Sequence, residues 1–302
     1  MPDVLLALFN PSVRARWEAL GVADRVARLQ QERLLPIALA HAHSAGCLDS
    51  LQAGLWEIVV QRRRLTAEID DQLLERVLPA MHARGCRPLL LKGAALGRWL
   101  YAAPELRLGS DIDLLVDPRR RLDAHAVLTA VGLCSDGYSH HNLASNQATY
   151  VDKETGRHID LHWALSTVPE LACRFDFEQL DSAAISLERP SSARVFGRID
   201  ALMHSVVHYC AHEAVDDRPL IWLYDLTLLA RGFDASSWAE LDSRVRNARL
   251  AGLHAAAFQL AAATFPLELP GALMQQWRAL GTAECTSGLL QTNSIPALRL
   301  LR

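Results

Sequence analysis

The chain has 302 residues, half of them hydrophobic, and a formal net charge of −3. That length suits two or three domains with a sizeable buried core, and the slightly acidic balance argues against a nucleic-acid coat, which needs a basic face. No run of eighteen apolar residues occurs, which excludes a membrane-spanning helix. At the N-terminus, Asp3 comes early and no basic stretch precedes the short apolar run, so no signal peptide is expected. Residues 1–84 are predicted to be helical: Leu20, Val22, Val26, Leu29, Leu34 and Leu35 recur at helical spacing, as do Leu55, Val59, Leu65, Ile69, Leu73, Leu74, Val77 and Leu78. Arg62-Arg63-Arg64 is expected to form a solvated helix face. Gly85 is the expected helix C-cap.

The pattern changes at Pro88. Leu89-Leu90-Leu91 is a predicted strand, and Lys92-Gly93 turns it into a helix that runs to Tyr101. Glycine lets backbone approach closely, and the first amides of a helix attract anions, so Lys92 and Gly93 form a candidate phosphate cradle. After a loop with Pro104 comes Arg107-Leu108-Gly109-Ser110-Asp111-Ile112-Asp113-Leu114-Leu115-Val116, a buried strand bounded by Gly-Ser and Asp-Pro. Strand side chains alternate between faces, so Asp111 and Asp113 point one way and Ile112 and Leu114 the other. Two carboxylates held side by side raise each other's pKa unless a cation lies between them. Mg²⁺, which takes hard oxygen ligands and keeps places for water and phosphate, is the natural choice. Arg107 and Ser110 beside the pair are candidate contacts for phosphate or substrate.

A helix is predicted from Pro118 through Val131. Ala148–Val151 and His158–Trp163 then form a predicted hairpin across Asp152–Gly156. In the second strand Ile159 and Leu161 face the core, leaving His158, Asp160 and His162 on the opposite side. If that strand lies beside the Asp111 strand, Asp111, Asp113 and Asp160 converge as a metal triad able to hold two Mg²⁺ about 3.5–4 Å apart, with His162 adjacent. The segment 191–194 after Pro190 is a linker or hairpin. From about 199 the chain is helical again, over Asp200–Ala214, Pro219–Arg231, Ser237–Asn247, Ala251–Thr264 and Ala272–Leu280. His204, His208 and His212 share one helix face. Interdomain packing, lining of the active-site cleft and a zinc site all stand open for them, although no HExxH occurs. The six cysteines (Cys47, Cys86, Cys134, Cys173, Cys210 and Cys285) form no CxxC pair, so reduced, mostly buried thiols in a cytoplasmic protein are expected.

Each element alone has an ordinary reading: an isolated Asp-x-Asp is common, and Lys-Gly after a strand is usually a turn. In combination, Lys92-Gly93, Asp111-Ile112-Asp113 and Asp160 resemble the DNA polymerase β nucleotidyltransferase superfamily. A closer similarity is to a group of bacterial nucleotidyltransferases, carried by Leu90–Leu96, Arg107–Val116 and Asp160–Trp163. A helical tail similar to theirs contains His204, His208 and Trp222-Leu223-Tyr224-Asp225-Leu226. Two departures stand out: Gly93 occupies a position that is often Ser, and Lys92 replaces a usual Gly. The resemblance implies an α+β fold, with a small mixed-sheet core at 86–198 between helical regions at 1–85 and 199–302. It implies transfer of NMP from an NTP, ATP by preference, to a hydroxyl of an unidentified small-molecule, peptide or protein acceptor, with release of pyrophosphate. Two Mg²⁺ (or Mn²⁺) would be held by Asp111, Asp113 and Asp160. Rival readings are a metal-dependent phosphotransferase, a non-catalytic or antitoxin-like nucleotide-binding module, and nucleic-acid end modification, the last disfavoured by the charge balance and the absence of interleaved basic and aromatic residues.

Overall fold

A computed structural model describes residues 4–135, 146–212 and 218–284. The chain divides into two compact units, one of residues 60–201 and one of residues 1–59 with 202–302.

The first unit holds a mixed sheet of seven strands: β1 (Leu89–Leu90), β2 (Ile112–Leu115), β3 (Cys134–Ser135), β4 (Gln147–Val151), β5 (His158–His162), β6 (Ile185–Ser186) and β7 (Arg194–Val195). Their order is β3-β4-β5-β2-β1-β7-β6. β2 and β5 run parallel, as do β1 and β7. The remaining neighbours are antiparallel, including the predicted β4–β5 hairpin and a β6–β7 hairpin around Pro190. One sheet face is apolar. Ile112, Leu114 and Val116 join Ala148, Tyr150, Ile159 and Leu161 in a continuous core, as period-two alternation requires. Three helices cover it: α4 (Ser50–Ala83), α5 (Lys92–Trp99) and α6 (Arg121–Ala130). They contribute Leu73, Leu74, Val77, Leu78 and Met81 from α4, Ala94 and Ala95 from α5, and Ala124, Val127 and Leu128 from α6. Each fully buried large side chain stabilises by roughly 1.5–3 kcal/mol, so this face fixes which side chains of β2 and β5 point the other way. Helix α4 stops where expected: Gly85 takes φ +73, and the amides of Gly85 and Cys86 bond the carbonyls of His82 and Met81, the pattern of a left-handed helix cap.

The same helix ties down the loops of this unit. Arg64 pairs with Glu105 at 2.7 Å, and Arg63 Nε donates to the Glu105 carbonyl. Asp71 accepts from Arg98 of α5, and Arg76 pairs with Asp152 in the β4–β5 turn at 2.5 Å. Glu75 accepts from the amide of Ser191 in the β6–β7 turn. The Arg62–Arg64 run is therefore more than a solvated face: two of its three guanidinium groups hold the turn before β2.

Two short helices, α7 (Pro169–Ala172) and α8 (Phe177–Ser182), follow β5. The second unit is helical, with α1 (Pro11–Glu18), α2 (Val22–Gln31), α3 (Leu35–Ser44), α10 (Ile221–Ala230), α11 (Ala235–Asn247), α12 (Ala251–Thr264) and α13 (Gly271–Gly281). Helix α9 (Arg198–Ala211) begins before residue 202 and supplies this unit with His204 and His208. Its core includes Trp17, Leu29, Leu223, Phe258 and Trp277, all buried. Asn10 closes it by donating to the carbonyls of Ala262 and Phe265. His208 and His212 pack on Trp222, with ring centroids 4.4 and 5.1 Å away.

The helices expected beyond residue 199 all form; residues 213–214 of the first prediction lie outside the described residues. The expectation of mostly buried thiols is corrected. All five described cysteines are free, but only Cys86 and Cys210 are buried, whereas Cys47 and Cys173 are exposed. Cys173 sits on an open loop after the four-residue α7, where no core face is available. Cys285 lies outside the described residues. Among the described residues, no helix is long and apolar enough to cross a membrane.

Candidate active site

The polar face of the sheet gathers the acidic groups. Register sets Asp113 of β2 directly opposite Asp160 of β5, and Leu115 opposite His162. With Ile112, Leu114, Ile159 and Leu161 in the core, Asp113, Asp160 and His162 are left on one face. One ligand atom from each of these three lies within 4.8 Å of the others. Asp111 stands just before β2, half-buried, accepting from the Ser110 hydroxyl at 3.1 Å. Its charge reaches both Asp160 and Lys92.

Lys92 closes the cluster from β1. Because β1 runs antiparallel to β2 with Leu90 opposite Leu114, the chain leaves β1 beside the start of β2. Lys92 opens α5 with φ +50. That left-handed conformation costs a non-glycine residue about 1–2 kcal/mol, which gives a physical reason for glycine to be usual there. The lysine side chain offsets this: its Nζ lies 2.6 Å from Asp113 Oδ1, and His162 Nε2 lies 2.8 Å from the same oxygen. Gly93 follows at a point of close approach. A Cβ there would stand 2.6 Å from Arg107 Nη1 and 3.0 Å from the Gly109 amide. Arg107, 3 % exposed, thus lies under the start of α5, and a side chain at 93 would have to displace its guanidinium and press on the Gly109 amide and the Arg107 carbonyl.

The electrostatics follow from this packing. Burial pushes the Asp113 carboxyl up, but the Lys92 charge and the His162 hydrogen bond overcome it and hold Asp113 well below the usual carboxylate range. Burial pulls the Lys92 ammonium down, while Asp113, Asp111 and Asp160 raise it to a net value above the ordinary lysine one. Asp160 moves the other way. Burial lifts it, the charges of Asp113 and Asp111 add to that, and the Thr149 hydroxyl, 2.7 Å from Oδ1, only partly opposes. Burial and neighbouring charge therefore move the two facing carboxyls in opposite directions.

Two supports were not expected from sequence. Thr149 faces Asp160 across the hairpin, a pairing that could be counted from the turn length. Arg157, at the end of the turn, donates to both oxygens of buried Asp70 on α4, at 2.5 and 3.0 Å, and through Nη1 to the Ser110 carbonyl at 2.9 Å. It fixes the peptide that carries Asp111, across 87 residues of sequence from Asp70, and no local pattern announces it.

The donor set of carboxylates plus one imidazole suits a divalent cation. Lys92 Nζ and His162 Nε2 already share Asp113 Oδ1, so an ion would be taken by other carboxylate oxygens of the group. A family model described as an uncharacterised nucleotidyltransferase matches residues 21–266. Among curated proteins nothing matches. A solved structure described as "Solution Structure of Antibiotic-Resistance Factor ANT(2'')-Ia Reveals Substrate-Regulated Conformation Dynamics" is similar at 15 % identity and a TM-score of 0.43, covering 62 % of this chain and 96 % of that one.

Proposed function

The chain belongs to this family of uncharacterised nucleotidyltransferases, and from that premise we propose that it is a cytoplasmic enzyme transferring NMP from an NTP, ATP by preference, to a hydroxyl of a small-molecule, peptide or protein acceptor with release of pyrophosphate. The observation that carries the reading is the register pair Asp113–Asp160, flanked by His162 and by the Lys92-Gly93 helix start. Two Mg²⁺ ions, or Mn²⁺, would be held by Asp113 and Asp160 with Asp111 and His162 beside them, neutralising phosphate charge and activating the hydroxyl when bound.

The chain's own groups do the rest. The first amides of α5 lack intrahelical acceptors and receive the β- and γ-phosphates, with Lys92 as a point charge. Gly93 lets the start of α5 pack directly on Arg107 and Gly109. Arg107 holds the cradle from beneath, and the Ser110 hydroxyl orients Asp111. Asp160, across the ladder from Asp113, takes the hydroxyl proton as the general base. Thr149 occupies its Oδ1, which leaves Oδ2 for that proton.

The test is parallel incubation with α-labelled and with γ-labelled NTPs, Mg²⁺ and a cell extract, comparing the protein with Asp111→Ala/Asp113→Ala. Label transfer with pyrophosphate release, lost in the double variant, is expected. Equal labelling by both proteins removes the assignment. Transfer of γ-label with no α-label replaces it with phosphotransfer.

A further inference from the structure

A concavity lies in the same unit, beyond the C-terminal ends of β2 and β5. It has a volume of about 740 Å³, within the roughly 300–1,000 Å³ of small-molecule sites. Leu115, Trp163, Leu165, Phe175 and Phe177 give it an apolar lining. Its charged members are Asp117, Asp176 and Glu178 against one guanidinium, Arg119. Arg119 is bound on both sides, to Asp117 at 2.7 Å and Glu178 at 2.7 Å. Asp176 caps α8 through the Gln179 amide.

Its position relative to the acidic pair is set by register. Leu115 lies two residues beyond Asp113 on the same face and opposite His162, so the concavity begins roughly 7 Å along the strand from Asp113. Lys92 and Gly93 lie toward the opposite end of β2. In phosphoryl and nucleotidyl transfer the attacking and leaving oxygens are roughly in line. With pyrophosphate leaving toward Lys92, the attacking hydroxyl arrives from the side of Leu115.

Building on the nucleotidyltransferase reading, we propose that this concavity is the acceptor site, and that it takes a neutral or cationic hydroxyl compound with an apolar ring body. The acceptor oxygen forms a bond to Pα as the bridging Pα–O bond breaks, pyrophosphate leaves with that electron pair, and the hydroxyl proton passes to Asp160. Three carboxylates against one doubly paired guanidinium disfavour a phosphate-bearing acceptor, including a nucleic-acid end.

The experiment fills the concavity with Ala172→Trp and, separately, with Cys173→Trp at an exposed position that spares the fold. Two quantities are read on each folded variant: affinity for Mg²⁺-α,β-methylene-ATP by calorimetry, and transfer of label from α-labelled ATP to acceptors in a cell extract. Affinity is expected to stay within about twofold, as for separate sites, while transfer falls about 100-fold, the order of loss from a displaced reactant. Parallel loss of nucleotide affinity overturns the proposal by assigning the concavity to the nucleoside, and undiminished transfer overturns it by leaving the concavity idle. A wild-type chain that neither binds the analogue nor transfers label defeats the nucleotidyltransferase reading itself, and this proposal with it. The charge preference is read with matched phenols: tyramine should compete with the extract acceptors and 4-hydroxyphenylacetate should not. Equal or reversed competition overturns the class.

Discussion

Replacing Arg157 with alanine removes two hydrogen bonds to Asp70 and one to the Ser110 carbonyl. It leaves a carboxylate whose side chain is 2 % exposed without its ion-pair partner. Breaking a buried pair from one side costs about 3–5 kcal/mol, and the residual exposure of Arg157 places this case near 3 kcal/mol. The loss carries a pH signature. Burial already pushes the Asp70 carboxyl up, while the Arg157 hydrogen bond and charge, with Arg98 behind, pull it back and Asp71 adds to the rise. Without Arg157 the rise is larger, so the folded state binds the proton more tightly than the unfolded chain. Stability then falls as pH rises from the ordinary carboxylate value near 4 toward the raised folded value, by at most about 1.4 kcal/mol per pH unit. The variant should therefore be least impaired near pH 4 and most impaired at pH 7. Urea titration followed by hydrogen exchange of the β2 and β5 amides reads this in the sheet-bearing unit alone. Asp70→Asn, which keeps an acceptor without the buried charge, should lose less and show no such slope. A deficit below about 1 kcal/mol, or one that grows on acidification, would show that Asp70 is not the uncompensated charge.

Three other outcomes follow from the geometry. Gly93→Ala drives a Cβ to 2.6 Å from Arg107 Nη1 and should destabilise by about 1–3 kcal/mol while weakening nucleotide affinity, both measurable by calorimetry. Lys92→Met and Lys92→Gly both lose the Asp113 pair, but only glycine also relieves the left-handed backbone, so the glycine variant should unfold about 1 kcal/mol later in a chemical titration. Gly281→Ala puts a Cβ 2.4 Å from the Gly252 Cα where α13 meets α12 and should cost about 1–3 kcal/mol of stability, with kcat for transfer unchanged.

Much of this site is legible in the sequence because local rules govern it. The alternation around Asp111-Ile112-Asp113 and His158–His162 fixes which side chains share a face, and the Asp152–Gly156 turn fixes the hairpin. The order of strand, Lys92-Gly93 and helix gives the turn that brings Lys92 to Asp113. Other parts depend on distance. Asp70 reads as one more polar residue of an amphipathic helix, and Arg157 as a turn residue, until the fold brings them together. The Arg62–Arg64 run looks like solvated charge because nothing nearby in sequence shows that Glu105 will face it. The left-handed backbone at Lys92 is equally silent, since lysine is not a residue that advertises such a conformation. Helical spacing puts His204 and His208 on one face of α9, but it does not show that His208 and His212 will pack on Trp222 of α10, nor what they serve.

Helix α4 acts as a ruler for the site. Its tethers at Arg63–Arg64, Asp70–Asp71 and Glu75–Arg76 reach four different segments, including those that carry Lys92 and Asp111. Adding one residue between Arg64 and Asp70 would turn one set by about 100° against the others. The length of this stretch is fixed by the spacing of everything it holds.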